Sequence, residues 1–302
     1  AMRNFNPDVI VALGGGSALD AAKAISCFAA SGFEVPEMIF ADCSRNIPSV
    51  TIGTTTGTGS EVNGAAVLTD DKSGEKRTIN AVNLFARYCF VDYRYTYSNS
   101  YLGTVSTGLD ALCHAIEDWF SSAATEPACT AGRRATELVY PWLKDMSRGV
   151  FDPQNRDMRR DMHYGSLWAG IAITMVGTGF PHTMGYPLTE IGHIPHGVAC
   201  AIFEREFLSV SLPHAEERQK SMLLNIIGSL EEFGKVIDRL TVNDLMVNNE
   251  MAELMVRRGV ESINGRRTLG GLSEDEATSI VRSSIREEKQ EELLKGGWLL
   301  KQ

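Results

Sequence analysis

The feature that most restricts how this chain can fold is a change of character near residue 98. Before it, short apolar runs rich in β-branched residues alternate with helix and turn signals. DVIVAL (8–13) reads as a buried strand, ALDAAKAISCFAA as a helix with Ser17 as its N-cap, and IPSVTIGTT (47–55) as a second strand. AAVLTD, KRTIN and YCFVDY read as shorter extended pieces. After it the strand signal disappears, and amphipathic stretches at 104–122, 127–148, 156–176, 215–240 and 274–293 dominate. Alternation followed by helices alone predicts an α/β domain over 1–97 and an all-α domain over 98–302. A length of 302 residues also favours two cores over one.

Two glycine-rich turns punctuate the first half. Gly14, Gly15, Gly16 and Ser17 join the first strand directly to a helix start. Thr54, Thr55, Thr56, Gly57, Thr58, Gly59 and Ser60 repeat the arrangement with added hydroxyls. Backbone without side chains lets a phosphate reach free N–H groups at the positive end of a helix. Neither turn matches GxGxxG or the P-loop, and tight turns also carry glycine for steric reasons alone, so both readings stay open. Asp20, in the first turn of the helix, either orients the phosphate loop or complements the helix dipole.

The second half carries a quartet of metal-type side chains. Asp110 and His114 in GLDALCHAIE are four residues apart, which places both on one helix face. His182 and His196 bracket PHTMGYPLTEIGHIPHG, where glycine and proline break the segment into a loop able to bring them together. Three imidazoles and one carboxylate suit a divalent transition metal such as Fe²⁺ or Zn²⁺. Spacing alone also allows ordinary satisfied or surface histidines. His163 and His214 read as structural or exposed, Cys113 and Cys200 as packing residues, and Trp119, Trp142 and Trp168 as filling the helical core.

A net charge of −9 without a Lys/Arg cluster argues against a nucleic-acid partner. The richest apolar runs, such as LWAGIAITMVG, are too short and Gly-broken to span a membrane. The six cysteines form no CxxC pair or regular framework and read as reduced thiols of a cytoplasmic protein. Ala1 ahead of Met2 reads as a tag remnant, and the charged tail SIREEKQEELLKGGWLLKQ as a solvated helix end.

Taken in order, PDVIVALGGGSALDAAKA, TTTGTGSEV, VDYRYTYS, STGLDALCHAIE and HTMGYPLTEIGHIPHG resemble the iron-containing (group III) alcohol dehydrogenase family over nearly the whole chain. The GYPL form of the loop is similar to the propanediol- and butanol-dehydrogenase-like branch. The resemblance implies a Rossmann-like α/β domain, here truncated, joined to a helical metal-binding domain in a dehydroquinate-synthase-like architecture. It implies Asp110, His114, His182 and His196 as ligands of Fe²⁺, with Zn²⁺ the alternative. It implies that Gly14, Gly15, Gly16 and Ser17 hold the pyrophosphate of NAD or NADP. Thr54, Thr55, Thr58 and Ser60 would then line the adenosine and ribose side, with Lys76 near the nicotinamide ribose. The implied reaction interconverts a small primary alcohol or diol and its aldehyde by hydride transfer. Many members carry a second loop histidine as a proton relay where this chain has Tyr186, and His193 is the other candidate for that task.

One departure qualifies the likeness. Members of the family begin well upstream, with strands and helices that complete the dinucleotide-binding sheet. The strand at 8–13 is therefore expected to have an open apolar edge, a feature that favours association into a homo-oligomer such as a dimer. The alternative function is a non-catalytic metal-binding remnant that no longer holds a dinucleotide.

Overall fold

The computed structural model describes residues 5–70, 72, 74–241 and 245–287. Strand β1 (Ile10–Gly14) runs directly into helix α1 (Gly16–Ser31), and β2 (Ser49–Gly53) and β5 (Tyr88–Phe90) complete a parallel sheet of order β1-β2-β5. Between the last two, β3 (Ala65–Thr69) and β4 (Lys76–Asn80) form an antiparallel hairpin. A small core of Ala24, Cys27, Ile39, Ala66, Ile79 and Leu84 lies among α1, the hairpin and the adjoining turns.

Ser17 is not the cap of α1. The helix begins two residues earlier, with Gly15 as N-cap and no side chain capping it. A glycine cap leaves first-turn N–H groups without a side-chain acceptor, which suits an anion more than a serine cap does.

The sheet has two unlike faces. Ala12 and Thr51 are buried on one. On the other, the register aligns Val11 with Val50 and Tyr88, and Leu13 with Ile52 and Phe90. Within those two rows Val11, Leu13, Tyr88 and Phe90 are all more than half exposed. The apolar opening expected at the edge strand is thus a whole face. Such a surface is an association site by default.

Among the described residues from 101 to 284 the chain is almost wholly helical: α2 (Tyr101–Trp119), α3 (Glu126–Met146), α4 (Arg156–Met175), α5 (Phe180–Glu190), α6 (His196–Ala201), α7 (Glu204–Ser211), α8 (Glu217–Ile227), α9 (Leu230–Leu240), α10 (Asn249–Glu261) and α11 (Glu274–Ser284). Every residue of α2 from Gly108 to Trp119 is buried, the condition of a helix surrounded by others on all sides. Ser100 starts it by accepting a hydrogen bond from the Gly103 N–H at 3.1 Å. Among the described residues no helix is long and apolar enough to cross a membrane.

Several expectations are corrected. The stretch 215–240 is two helices, because Ser229 and Glu232 form a capping box that starts α9 afresh after Gly228. The segment between His182 and His196 is largely helix α5, despite Gly185 and Pro187, and His196 opens α6. Strands are not confined to the first half, since β6 (Met246–Val247) pairs with β7 (Arg286–Glu287). Trp119 is buried, but Trp168 is 37% exposed and does not fill the core. Of the two readings open for His163, structural or exposed, burial leaves the structural one. Cys27 and Cys43, expected as separate thiols, form a disulfide with Cα atoms 5.6 Å apart, within the span such a bond allows. Most of the charged tail lies outside the described residues.

Candidate metal centre and nucleotide cleft

The four metal-type side chains converge on one atom. Asp110 Oδ1 lies 3.7 Å from His114 Nε2, 3.5 Å from His182 Nε2 and 3.8 Å from His196 Nε2. Donors held about 2.0–2.2 Å from a tetrahedral metal are roughly 3.3–3.6 Å apart, so the spacing fits a common ion. The geometry follows from three elements. Helix α2 presents Asp110 and His114 one turn apart, α5 presents His182, and the start of α6 presents His196. Gly197 makes the approach possible, because a Cβ there would lie 1.9 Å from the Ser106 carbonyl oxygen and 2.6 Å from the Asp110 nitrogen.

Two outer partners fix the ring orientations. His182 Nδ1 is 2.5 Å from Glu117 Oε1, and Glu117 Oε2 accepts from the Gly179 N–H at 2.6 Å. With its Nδ1–H given to Glu117, His182 turns Nε2 toward the Asp110 carboxylate. Neither Asp110 Oδ1 nor His182 Nε2 makes a hydrogen bond within ordinary distance, although both are buried. Such a facing pair calls for a proton or a metal cation between the two atoms. Thr189 Oγ1 is 3.3 Å from His196 Nδ1 and orients that ring in the same way.

The electrostatics agree with this arrangement. Burial opposes ionisation of Asp110, but the three histidines around it hold its carboxyl well below the usual carboxylate range. Burial also disfavours a charged His182, yet its interactions with Cys200, Glu117 and Asp110 prevail and raise its pKa well above the ordinary value. Burial lowers His114 and brings His196 down to about 4, so both are neutral at pH 7. His196 is the donor with an open side, its side chain 31% exposed, whereas those of the other three are at most 7% exposed.

Glu117 carried no assignment from sequence, although it follows Asp110 by seven residues and His114 by three on one helix face. Behind it, a donor atom of Cys113 and one of Glu204 each lie within 4.8 Å of a Glu117 oxygen and of each other. Burial, reinforced by the charge of Glu117, pushes the carboxyls of Glu204 and Asp118 well above their ordinary range. Nothing in the spacing marks Glu204 as part of this region; only the turn from α6 into α7 brings it there.

The glycine turns meet beside this centre. A Cβ on Gly15 would lie 2.9 Å from Thr55 Cγ2, and one on Gly16 2.5 Å from Thr58 Cγ2, so the second turn lies over the first. Asp20 joins them through its side chain, accepting from Ser60 Oγ at 2.5 Å and from the Val67 N–H at 2.9 Å. The buried Lys23 ammonium donates to Ser60 Oγ, Asn63 Oδ1 and the Ala65 carbonyl. The second turn also rests on the helices. Thr56 Oγ1 is 3.1 Å from Thr107 Oγ1, and the Thr54 carbonyl accepts from Asn99 at 3.1 Å. Gly59, at φ 56°, meets Gly170 of α4 so closely that a Cβ would lie 2.4 Å from its Cα.

Lys76 starts β4 across the cleft. Its N–H donates to Glu190 Oε1 at 2.8 Å, and Arg258 holds the other Glu190 oxygen at 2.7 Å. Its ammonium is close enough to add a small lowering influence on both Asp20 and His196. Tyr186 stacks on His196, ring centroids 5.5 Å apart and planes 6° from parallel, and burial pushes its phenol up to about 12. His193 is exposed at φ 54° and takes part in none of these contacts.

Residues 1–93 match the family model described as iron-containing alcohol dehydrogenase, and residues 104–284 match the C-terminal model of the Fe-containing alcohol dehydrogenase family. The chain belongs to the iron-containing alcohol dehydrogenase family. Its similar relatives include the 1-propanol dehydrogenase PduQ of Citrobacter freundii, 34% identical over 203 residues, covering 67% of this chain and 51% of that protein. The NADPH-dependent butanol dehydrogenase of Clostridium saccharobutylicum is 30% identical over 264 residues, covering 84% of this chain and 62% of the relative. The chain thus spans between about half and three-fifths of the length of these two relatives.

Among solved structures, the iron-containing alcohol dehydrogenase of Thermotoga maritima superposes with a TM-score of 0.83 at 32% identity, covering 94% of this chain and 77% of that one. The sulfoacetaldehyde reductase of Bifidobacterium kashiwanohense in complex with NAD⁺ gives 0.83 at 26% identity, covering 94% and 78%. The α/β part followed by a helical metal-type domain is this family's fold.

Proposed function

We propose that this chain works as a metal-dependent alcohol dehydrogenase, interconverting a small primary alcohol or diol and its aldehyde with NAD or NADP. The observation that carries this is the convergence of three imidazoles on one buried carboxylate oxygen, beside two interlocked glycine turns. In this reading Asp110, His114, His182 and His196 hold Fe²⁺ or Zn²⁺, which supplies Lewis acidity toward an alcohol hydroxyl. A nicotinamide supplies the hydride-accepting carbon. The division of labour between the two halves falls at 97/98.

The remaining steps belong to the chain's own side chains. Gly14, Gly15, Gly16 and Ser17 offer backbone N–H groups to a pyrophosphate, and Thr54, Thr55, Thr58 and Ser60 offer hydroxyls along the adenosine and ribose side. Lys76, fixed through Glu190, adds positive charge where a nicotinamide ribose would sit. Glu117 and Thr189 keep Nδ1 of their histidines protonated and Nε2 free. Tyr186 lies against His196 on its solvent-reachable side; with a phenol near 12 it is suited to give a proton to a forming alcohol, not to take one at neutrality. The open sheet face favours a homodimer.

The test is metal content and nicotinamide binding together. Asp110→Ala and His196→Ala should each reduce bound metal, and NADH or NADPH fluorescence should titrate saturably in a manner lost with a bulky residue at Gly15. Unchanged metal content in both variants would refute the metal assignment. A second reading, a metal-binding protein that holds no dinucleotide, draws on β1 being an edge strand of its sheet among the described residues. Full metal loading without nucleotide binding into the millimolar range would select it.

A further inference from the structure

His196 and Cys200 lie one turn apart on α6 and present the same face to the metal-type cluster. Cys200 Sγ is 3.7 Å from His196 Nδ1 and 3.8 Å from Nε2. The sulfur, a carboxylate oxygen of Asp110 and one ring nitrogen each of His182 and His196 all lie within 4.8 Å of one another. The thiol is fully buried. Packing is the ordinary role of a buried cysteine, with the sulfur among apolar groups. Here it faces three polar side chains instead. Within that cluster, Asp110 Oδ1 and His182 Nε2 are buried and without a hydrogen-bond partner.

We propose that Cys200 is a further donor to the metal, giving a sulfur ligand beside Asp110, His182 and His196 and biasing the centre toward thiophilic ions such as zinc or cobalt over iron. The proposal rests on the reading that these side chains hold a divalent ion. Sulfur reaches zinc at about 2.3 Å against about 2.0–2.1 Å for imidazole nitrogen, so a donor on the rim of such a cluster is within range. On coordination the thiol proton passes to solvent and the thiolate offsets one of the ion's two charges. Thiolate ligands favour zinc, whereas carboxylate and imidazole alone discriminate poorly. Helix α6 is pinned on both sides of the sulfur. Gly197 abuts Ser106 and Asp110, and a Cβ on Gly185 of α5 would lie 3.0 Å from the Ala199 carbonyl carbon and the Cys200 nitrogen.

The experiment is titration of the metal-stripped protein with Co²⁺, followed by absorption spectroscopy, in the wild type and in Cys200→Ala, Cys200→Ser, Cys113→Ala and Asp110→Ala. We expect visible ligand-field bands together with a near-ultraviolet sulfur-to-cobalt charge-transfer band. The second band should be lost in both Cys200 variants and kept in Cys113→Ala, while the ligand-field bands persist. Zinc-over-iron preference in mixed-metal loading should fall in Cys200→Ala. Ligand-field bands without the charge-transfer band, or a band that survives Cys200→Ala, would overturn the sulfur ligand and leave the metal site standing. No cobalt uptake by the wild type, or uptake unaffected by Asp110→Ala, would overturn both.

Discussion

Glu117→Gln isolates how much the carboxylate behind His182 contributes to the metal centre. Glu117 is fully buried and accepts two short hydrogen bonds, one oxygen from His182 Nδ1–H and the other from the Gly179 N–H. Glutamine keeps the shape but has one oxygen. If that oxygen stays with His182, the new NH₂ faces the Gly179 donor; if the amide flips, it faces His182. Either way a buried N–H loses its acceptor, which costs about 1–3 kcal/mol of stability. Loss of the negative charge also removes the group that keeps His182 in the metal-ready tautomer. Outer partners of this kind typically change metal affinity 10–100-fold, or about 1.4–2.7 kcal/mol. Chelator-competition titration of Zn²⁺ and Co²⁺ should report that loss, and a thermal melt the lower stability. Wild-type affinity in Glu117→Gln would refute the argument that this carboxylate orients the ligand.

Three further outcomes follow from the same geometry. Gly197→Ala forces a Cβ from 1.9 Å to at least 3.4 Å from the Ser106 oxygen, moving α6 away from α2 by about 1.5 Å and His196 with it. Metal content by elemental analysis should drop while circular dichroism stays helical, and full loading would contradict the close-approach argument. Metal affinity should also depend on pH. His182 holds its proton above the ordinary 6.5, whereas His114 and His196 are already neutral there. The ion must displace that proton, and the Cys200 thiol proton as well where the sulfur binds, so metal affinity should rise with pH above 6.5 and fall toward acid; an affinity that does not rise with pH would count against the assignment. On the open sheet face, Leu13→Thr with Phe90→Thr should weaken self-association in sedimentation by at least about tenfold, since each removes a largely exposed apolar side chain. A wild type that stays monomeric at high concentration would show that the face is not an association site.

The helical second half was legible because α2 to α4 carry strong periodicity and side-chain caps at Ser100, Thr125 and Asn155. The split at Gly228 is hard to see in the sequence because periodicity continues across it, while the capping box that interrupts it is a four-residue signal. The loop expected between His182 and His196 is helical because burial of Phe180, Met184 and Leu188 outweighs the local cost of Gly185 and Pro187. Trp168 was placed inside on residue type alone, yet it lies on the outer side of α4.

By itself the sequence determined the change from α/β to helical structure, the glycine turns and the pairing of Asp110 with His114, because each depends on contacts within a few residues. Only the tertiary structure decided which groups share a volume. Glu117 and Thr189 reach their histidines across packed helices, as Cys200 reaches His182, and Glu190 reaches Lys76 across 114 residues. Local rules set where side chains point along an element. Close packing, licensed at Gly197 and at the Gly59–Gly170 crossing, sets what they point at.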